Sequence, residues 1–217
     1  FYQYLKGDTY ETSVETYYKT IESLTDYKNG AELLLNHHLE TDLIDARGKA
    51  YGVELMVKKV NGKLNGWVSY TWSRTLIQAK GSLLDEMVND GAWYPANYDK
   101  PHAANFIGNY KFNRRFNFSL NVIYSTGRPI TLPVAKYEVD GAPRIHYSDR
   151  NQYRIPDYFR TDVSINIEGN HKVRKLAHSS WTFAVYNLLG RANPYSVYFV
   201  SEKGEINGYK LSIFARP

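Results

Sequence analysis

The chain has 217 residues, a formal charge of +5 and 20 tyrosines, and it has no cysteine, so it can build neither a disulfide framework nor a thiolate metal centre. Its basic residues are scattered and form no stripe of the kind nucleic acid requires, so no nucleic-acid partner is expected. Mean hydropathy is −0.51, and no apolar run approaches the ~18 residues of a transmembrane helix; this excludes a helical membrane protein but not a β-barrel, whose apolar residues are interleaved with polar ones.

Residues 1–12 read as the tail of an earlier element. A strand is expected from Ser13 to Leu24, with Val14, Thr16 and Tyr18 on one side, but its phase fails after Lys19, where Ile21 falls on the other face. A turn-rich stretch with Asn29-Gly30 and His37-His38 follows. Tyr51–Val60 then places Tyr51, Val53, Leu55 and Val57 on one face, and Gly52, Glu54, Met56 and Lys58 on the other. Asn61-Gly62 is the strongest hairpin signal in the chain. The return strand Leu64–Arg74 sets Leu64, Val68, Tyr70 and Trp72 against Asn65, Trp67, Ser69, Thr71 and Ser73.

Beyond Arg74 the pattern dissolves until His102, with one helical turn expected over Leu83–Val88. His102–Phe112 places Ala104, Phe106, Tyr110 and Phe112 opposite Asn105, Asn109 and Lys111, and the turn Asn113–Arg115 leads into Phe116–Thr126. There Phe116, Phe118, Leu120, Val122 and Tyr124 share one face, while Asn117, Ser119, Asn121, Ile123 and Ser125 form the other. A loop over 127–157 contains Pro129, Pro133, Pro143 and Pro156. Tyr158–Glu168 is the cleanest two-faced strand, with Phe159, Thr161, Val163, Ile165 and Ile167 against Arg160, Asp162, Ser164, Asn166 and Glu168. The polar turn Gly169–Ser179 precedes Trp181–Leu188. Tyr195–Val200 and Tyr209–Phe214 are then expected as a hairpin that extends the sheet beyond Gly190.

Either a soluble sandwich or a membrane barrel could use such strands; the connections separate the two. They alternate long (28–48, 75–101, 127–157, and 189–194 with the terminal hairpin) and short (Asn61-Gly62, Asn113–Arg115, Gly169–Ser179). Compact soluble β-domains seldom sort loop length by end, whereas outer-membrane barrels do so systematically. The expected fold is therefore all-β: an antiparallel meander of seven to eight strands forming part of a transmembrane outer-membrane β-barrel.

The stretches Ala50-Tyr-Gly-Val-Glu-Leu, Gly66-Trp-Val-Ser-Tyr-Thr-Trp-Ser, Tyr98-Asp-Lys-Pro-His, Tyr124-Ser-Thr-Gly-Arg-Pro, Arg150-Asn-Gln-Tyr-Arg-Ile-Pro-Asp-Tyr-Phe-Arg-Thr-Asp and Val185-Tyr-Asn-Leu-Leu-Gly-Arg-Ala-Asn-Pro-Tyr occur in this order. Together they resemble the C-terminal barrel of TonB-dependent outer-membrane receptors, particularly Bacteroidetes members such as the SusC-like importers and relatives with a carboxypeptidase-like regulatory domain. The resemblance covers nearly the whole chain. It implies that residues 1–217 are a C-terminal section of a barrel of about 22 strands with a plugged lumen, with no plug domain among them. It also implies an import receptor of the Gram-negative outer membrane that binds an extracellular solute, catalyses no reaction and needs no cofactor. Its expected partners are outer-membrane lipid, the plug of the same polypeptide, the TonB complex and a SusD-like surface lipoprotein. The alternative is a small self-contained barrel of about eight strands, serving as an anchor, an adhesin or a barrel enzyme.

No residue constellation points to bond chemistry. Asp85, Glu86 and Asp90, and Asp149 and Asp157 beside Arg150 and Arg154, read as solvated loop charges because paired carboxylates need rigid elements to fix their separation. Adjacent His37 and His38 cannot both face one metal, and no metal site is expected. Glu54, Lys58, Arg160, Asp162 and Glu168 fall on the polar faces, where a barrel lumen or a plug would solvate or pair them. The loop aromatics Trp93, Tyr94, Tyr98 and Tyr153 are candidate stacking platforms for a ring-bearing ligand; the plainer reading has them packed within the loops or girdling a membrane interface.

Overall fold

Alternating side chains pair strand by strand into an all-β, antiparallel structure. The computed structural model describes residues 1–5, 9–31, 36–81, 83, 86–169, 179–202 and 205–212. The short β1 (Tyr2–Leu5) leads into three long strands, β2 (Tyr10–Tyr27), β3 (Leu43–Lys59) and β4 (Leu64–Ala79). The two-residue β5 (Tyr94–Pro95) pairs only with the upper part of β4. β6 (His102–Lys111) and β7 (Phe116–Ser125) follow. β8 (Pro129–Ile130), β9 (Pro133–Val139), β10 (Ala142–Tyr147) and β11 (Tyr153–Arg154) lie between β7 and β12 (Tyr158–Glu168), and β13 (Ser180–Val185) comes next. The main sheet runs β1-β2-β3-β4-β6-β7-β12-β13, every neighbour antiparallel. β1 and β13 are its two edges; among the described residues they are not joined, so the sheet is open.

Three corrections to the sequence reading follow. The final hairpin, β14 (Pro194–Glu202) with β15 (Glu205–Ser212), is a separate two-stranded sheet and does not extend the main one. The stretch 127–157 is not structureless: β9 and β10 form a hairpin, and β8 pairs with β11. β3 begins eight residues before Tyr51, and β4 runs five residues past Arg74. Asp85 and part of the turn expected over Leu83–Val88 lie outside the described residues.

Over the part of the sheet that all its long strands share, register makes one face apolar. Val14 lies opposite Leu55, Leu55 opposite Tyr70, and Tyr70 opposite Ala104. Phe106 continues the face to Val122, and Leu120 sits opposite Val163, which is itself opposite Val185. The reverse face carries Glu15 opposite Glu54, Ser69 opposite Asn105, Asn109 opposite Ser119, and Asp162 opposite Asn121. Met56, Trp67, Ile107 and Ile123 are its large apolar exceptions. At the short-turn end the β3–β4 ladder stops at Lys59 and Gly66, and Gly62 takes a φ of 104°, which a side chain would strain.

β2, β3 and β4 have 18, 17 and 16 residues, or roughly 53–60 Å at ~3.3 Å per residue. β6 and β7 have 10 each, so the three long strands rise well above their neighbours. In that extension the two faces exchange character. On β3, the positions that carry Val53 and Leu55 lower down carry Asp45, Arg47 and Lys49, while Ile44 and Ala46 on the reverse face are buried. On β4, Arg74 and Gln78 share the face of Trp72, and Ile77 and Ala79 turn to the other side. β2 makes the change through a bulge between Ile21 and Leu24, where Ser23 has a φ of 57°. Ile21 pairs with Gly48 and Leu24 with Ala46, so both residues join the reverse face. The principal buried cluster is Ile44, Ala46, Ala79, Val88 and Tyr94, flanked by Leu24 and Ile77. It sits at the long-loop end, under the connections.

Candidate functional site

The long connections converge on three residues that a solvated-loop reading does not anticipate. Arg150 donates to the carbonyls of Tyr27 (2.7 Å) and Lys28 (3.1 Å) and to Asn29 Oδ1 (3.0 Å), and pairs with Asp26 at 3.1 Å. Its backbone N–H donates to Asn89 Oδ1, whose Nδ2 donates back to the Arg150 carbonyl. Asn151 is buried, has a φ of 59°, and donates to the Pro95 carbonyl and to Asn97 Oδ1. One dipeptide thus ties the connection after β2, the connection after β4 and its own.

Arg154 makes the second staple. It donates to the carbonyls of Asp99 (2.7 Å) and Gly127 (2.9 Å) and forms an ion pair with the Asp99 carboxylate. Asp99 is 1% exposed; it also accepts from the Thr75 N–H at 2.6 Å and lies 3.4 Å from Arg74 Nε. A buried carboxylate needs such partners to offset its lost hydration. Asp157 accepts from the Gly127 N–H (2.9 Å) and the Tyr124 hydroxyl (2.7 Å), and these bonds, the first foremost, hold its carboxyl below the usual range. Gly127 is required there, since a Cβ would come within 1.7 Å of the Ile155 carbonyl oxygen.

The four candidate aromatics are not brought together. Tyr94 is 2% exposed and belongs to the buried cluster, so it offers no stacking platform. Its hydroxyl donates to Asp26, and Arg150 lies over its ring at 5.9 Å. Burial first, and then Asp26, push that hydroxyl well above the ordinary tyrosine value. Trp93 is half-buried, with Lys49 (4.1 Å) and Arg47 (5.5 Å) of β3 over its ring. Tyr98 and Tyr153 are exposed. Among the described residues no ring contact links any of the four.

All five candidate charges lie on the polar face. Lys58 pairs with Glu11 at 3.0 Å, and Glu54 lies opposite Glu15. Arg160 pairs with Asp162 at 2.9 Å, and Asp162 is 8% exposed, accepting also from the Asn187 N–H and from Asn121 Nδ2. Glu168 lies opposite Ser180 at the short-turn end. At the other end of β12, Asn193 imitates a strand partner, accepting from the Phe159 N–H and donating to its carbonyl, both at 2.9 Å.

A cavity of about 1060 Å³ opens between the stapled connections. Asp26, Asn29, Asn89, Asn97, Tyr147 and Arg150 are among its lining residues, giving it an amide-rich wall. Among the described residues no group of three or more His, Asp or Glu could hold a metal ion. The staples had one sequence signal: Asp99, Arg150, Asn151 and Arg154 all lie in stretches that carry the receptor resemblance. Comparison with protein-family models and with curated proteins finds no match to the chain.

Proposed function

We propose that the chain is a sector of the large outer-membrane barrel of a TonB-dependent import receptor, acting by binding and gating, without bond chemistry. The observation that carries this reading is the uncovered apolar face. Leu55, Val68, Phe106, Ile165 and Phe183 are 42%, 44%, 40%, 45% and 61% exposed, and register makes them part of one continuous band. A soluble sheet buries its apolar face and wets the polar one; here the reverse face is the polar one, as in a barrel whose exterior meets lipid. The exchange of faces above Lys49 and Arg74 fits the upper limit of that lipid zone. An aromatic row of Tyr18, Tyr51 and Trp72, with successive rings 6.2 and 5.9 Å apart, lies just below it.

In this reading the stapled connections face the cell exterior and the amide-rich cavity is part of a solute vestibule. The polar face lines a lumen wide enough for a plug from the same polypeptide. A small closed barrel would need β1 bonded to β13, which the open sheet disfavours. The TonB complex and a SusD-like lipoprotein remain the partners that the motif resemblance suggests. The test is uptake: cells lacking the native gene should fail to accumulate a solute that complemented cells import, and collapsing the proton gradient should abolish that import. Import that persists without the gradient would overturn the reading.

A further inference from the structure

Trp93 and the two cations over it lie on the wall opposite the stapled connections. Tyr94 pairs in register with Ile77 and faces the buried cluster, so its predecessor Trp93 turns to the other face of β4. There it meets Arg47 and Lys49, which share the face of the apolar band on β3 and stand directly above it. Gln78 fixes the guanidinium: Arg47 Nε donates to Gln78 Oε1 at 2.9 Å. Two positive groups are thus held against one indole, and among the described residues neither forms an ion pair with a carboxylate. Asp45, the carboxylate nearest in sequence on that face of β3, forms no ion pair with either cation. A cation held over an aromatic face remains free to bond an anion outward.

We infer that Arg47, Lys49 and Trp93 form an exterior docking site for a phosphate-bearing lipid headgroup of the surrounding leaflet. This rests on the barrel reading above. The lipid source follows from continuity: the site is on the wall that carries Val53, Leu55 and Val57, just above the Tyr51–Trp72 row, at the level where headgroups meet a barrel. Acyl chains would run down the apolar band while the phosphate takes the two cations. The indole supplies the amphipathic surface that suits the interface.

The native gene product, reconstituted in nanodiscs of phosphatidylcholine alone or mixed with phosphatidylglycerol, gives the test by native mass spectrometry of retained lipid. The wild type should retain phosphatidylglycerol in preference. Arg47→Gln and Lys49→Gln should each weaken that preference about fivefold, the usual effect of one cation near an anionic surface. Lys136→Gln, on the β9–β10 hairpin, should leave it unchanged. Equal retention of the two lipids by the wild type, or an equal loss in Lys136→Gln, overturns the site while leaving the barrel intact. Binding of inorganic phosphate that depends on Arg47 and Lys49, without lipid enrichment, overturns the lipid assignment. Failure to enter either nanodisc overturns the barrel reading itself, and the inference with it.

Discussion

Asp99 shows how one residue sets the order of the loop end. Its carboxylate has no water to fall back on, so its energy depends on Thr75, Arg74 and Arg154. Removing one partner of a fully buried pair costs about 3–5 kcal/mol; Arg154 and Arg74 keep 26% and 32% of their side-chain surface exposed, so the loss of Asp99 costs less than that while still freeing both arginines. Asp99→Ala should therefore release the connections at 80–101 and 126–157 to limited proteolysis while the strands below stay protected. Asp157 acts at a more open place and through pH. Its folded value lies below the ordinary carboxylate value of about 3.9, so its contribution is complete above that value and is lost as pH falls through the lowered one. Protection of the Gly127 amide from hydrogen exchange should accordingly persist from neutrality past the ordinary carboxylate value and fail only as pH falls through the lowered one. In Asp157→Asn it should already be weak at neutral pH, with no acid step.

At the scale of the element, the strands are defined by two faces of opposite polarity, which the proposed barrel would set against lipid and water. Leu120 and Val163 face each other near the middle of the apolar band, and Ser164 is one residue away on the polar face. Val163→Arg should cost about 2–4 kcal/mol of folding free energy in phospholipid vesicles, the range for a cation at the midplane. Ser164→Arg should cost less, because its charge projects toward water; urea titration of the reconstituted protein compares them. Equal cost on both faces would mean a dry core on each side. Asn121→Arg is a less neutral control than position alone suggests, since Asn121 already donates to Asp162 at 3.2 Å and an arginine there would gain an ion partner.

For the whole molecule the decisive feature is that, among the described residues, the sheet does not close. A sheet in lipid must pair every backbone donor and acceptor, and each unpaired group costs several kcal/mol. On the proposed barrel reading, β1 and β13 would therefore need partners, since among the described residues they do not pair with each other. The polar face would not fit an eight-strand interior either, since Trp67, Ile107, Ile123 and Arg160 would have to share a lumen just wide enough for side chains. The 217 residues folded by themselves into detergent micelles should give no compact species whose gel mobility changes on heating, whereas the native gene product should. A heat-modifiable barrel from the isolated 217 residues would refute the sector reading.

Sequence alone determined the elements wherever alternation keeps one phase. Phe116–Ser125 and Tyr158–Glu168 were legible nearly to the residue, because every second side chain from Phe116 to Tyr124 and from Phe159 to Ile167 prefers one environment. The same rule hid the upper halves of β3 and β4. Above Lys49 and Arg74 the strands continue while their surroundings change, so the phase of Ile44 and Ala46 is opposite to that of Val53 and Leu55. A pattern reader sees the strand end where only its environment has switched. Ile21, which looked out of phase, is in phase with that upper environment. The five charges on the polar face followed from period two and needed no tertiary knowledge. The loop site did not follow, because Arg150, Asn151 and Asp99 act across connections more than 50 residues apart in sequence. No local preference encodes which carbonyl an arginine will meet. That Tyr94 is buried and Trp93 faces the other wall was decided by tertiary structure alone: two adjacent residues of β5 and its approach take opposite faces because β4 offers an edge there.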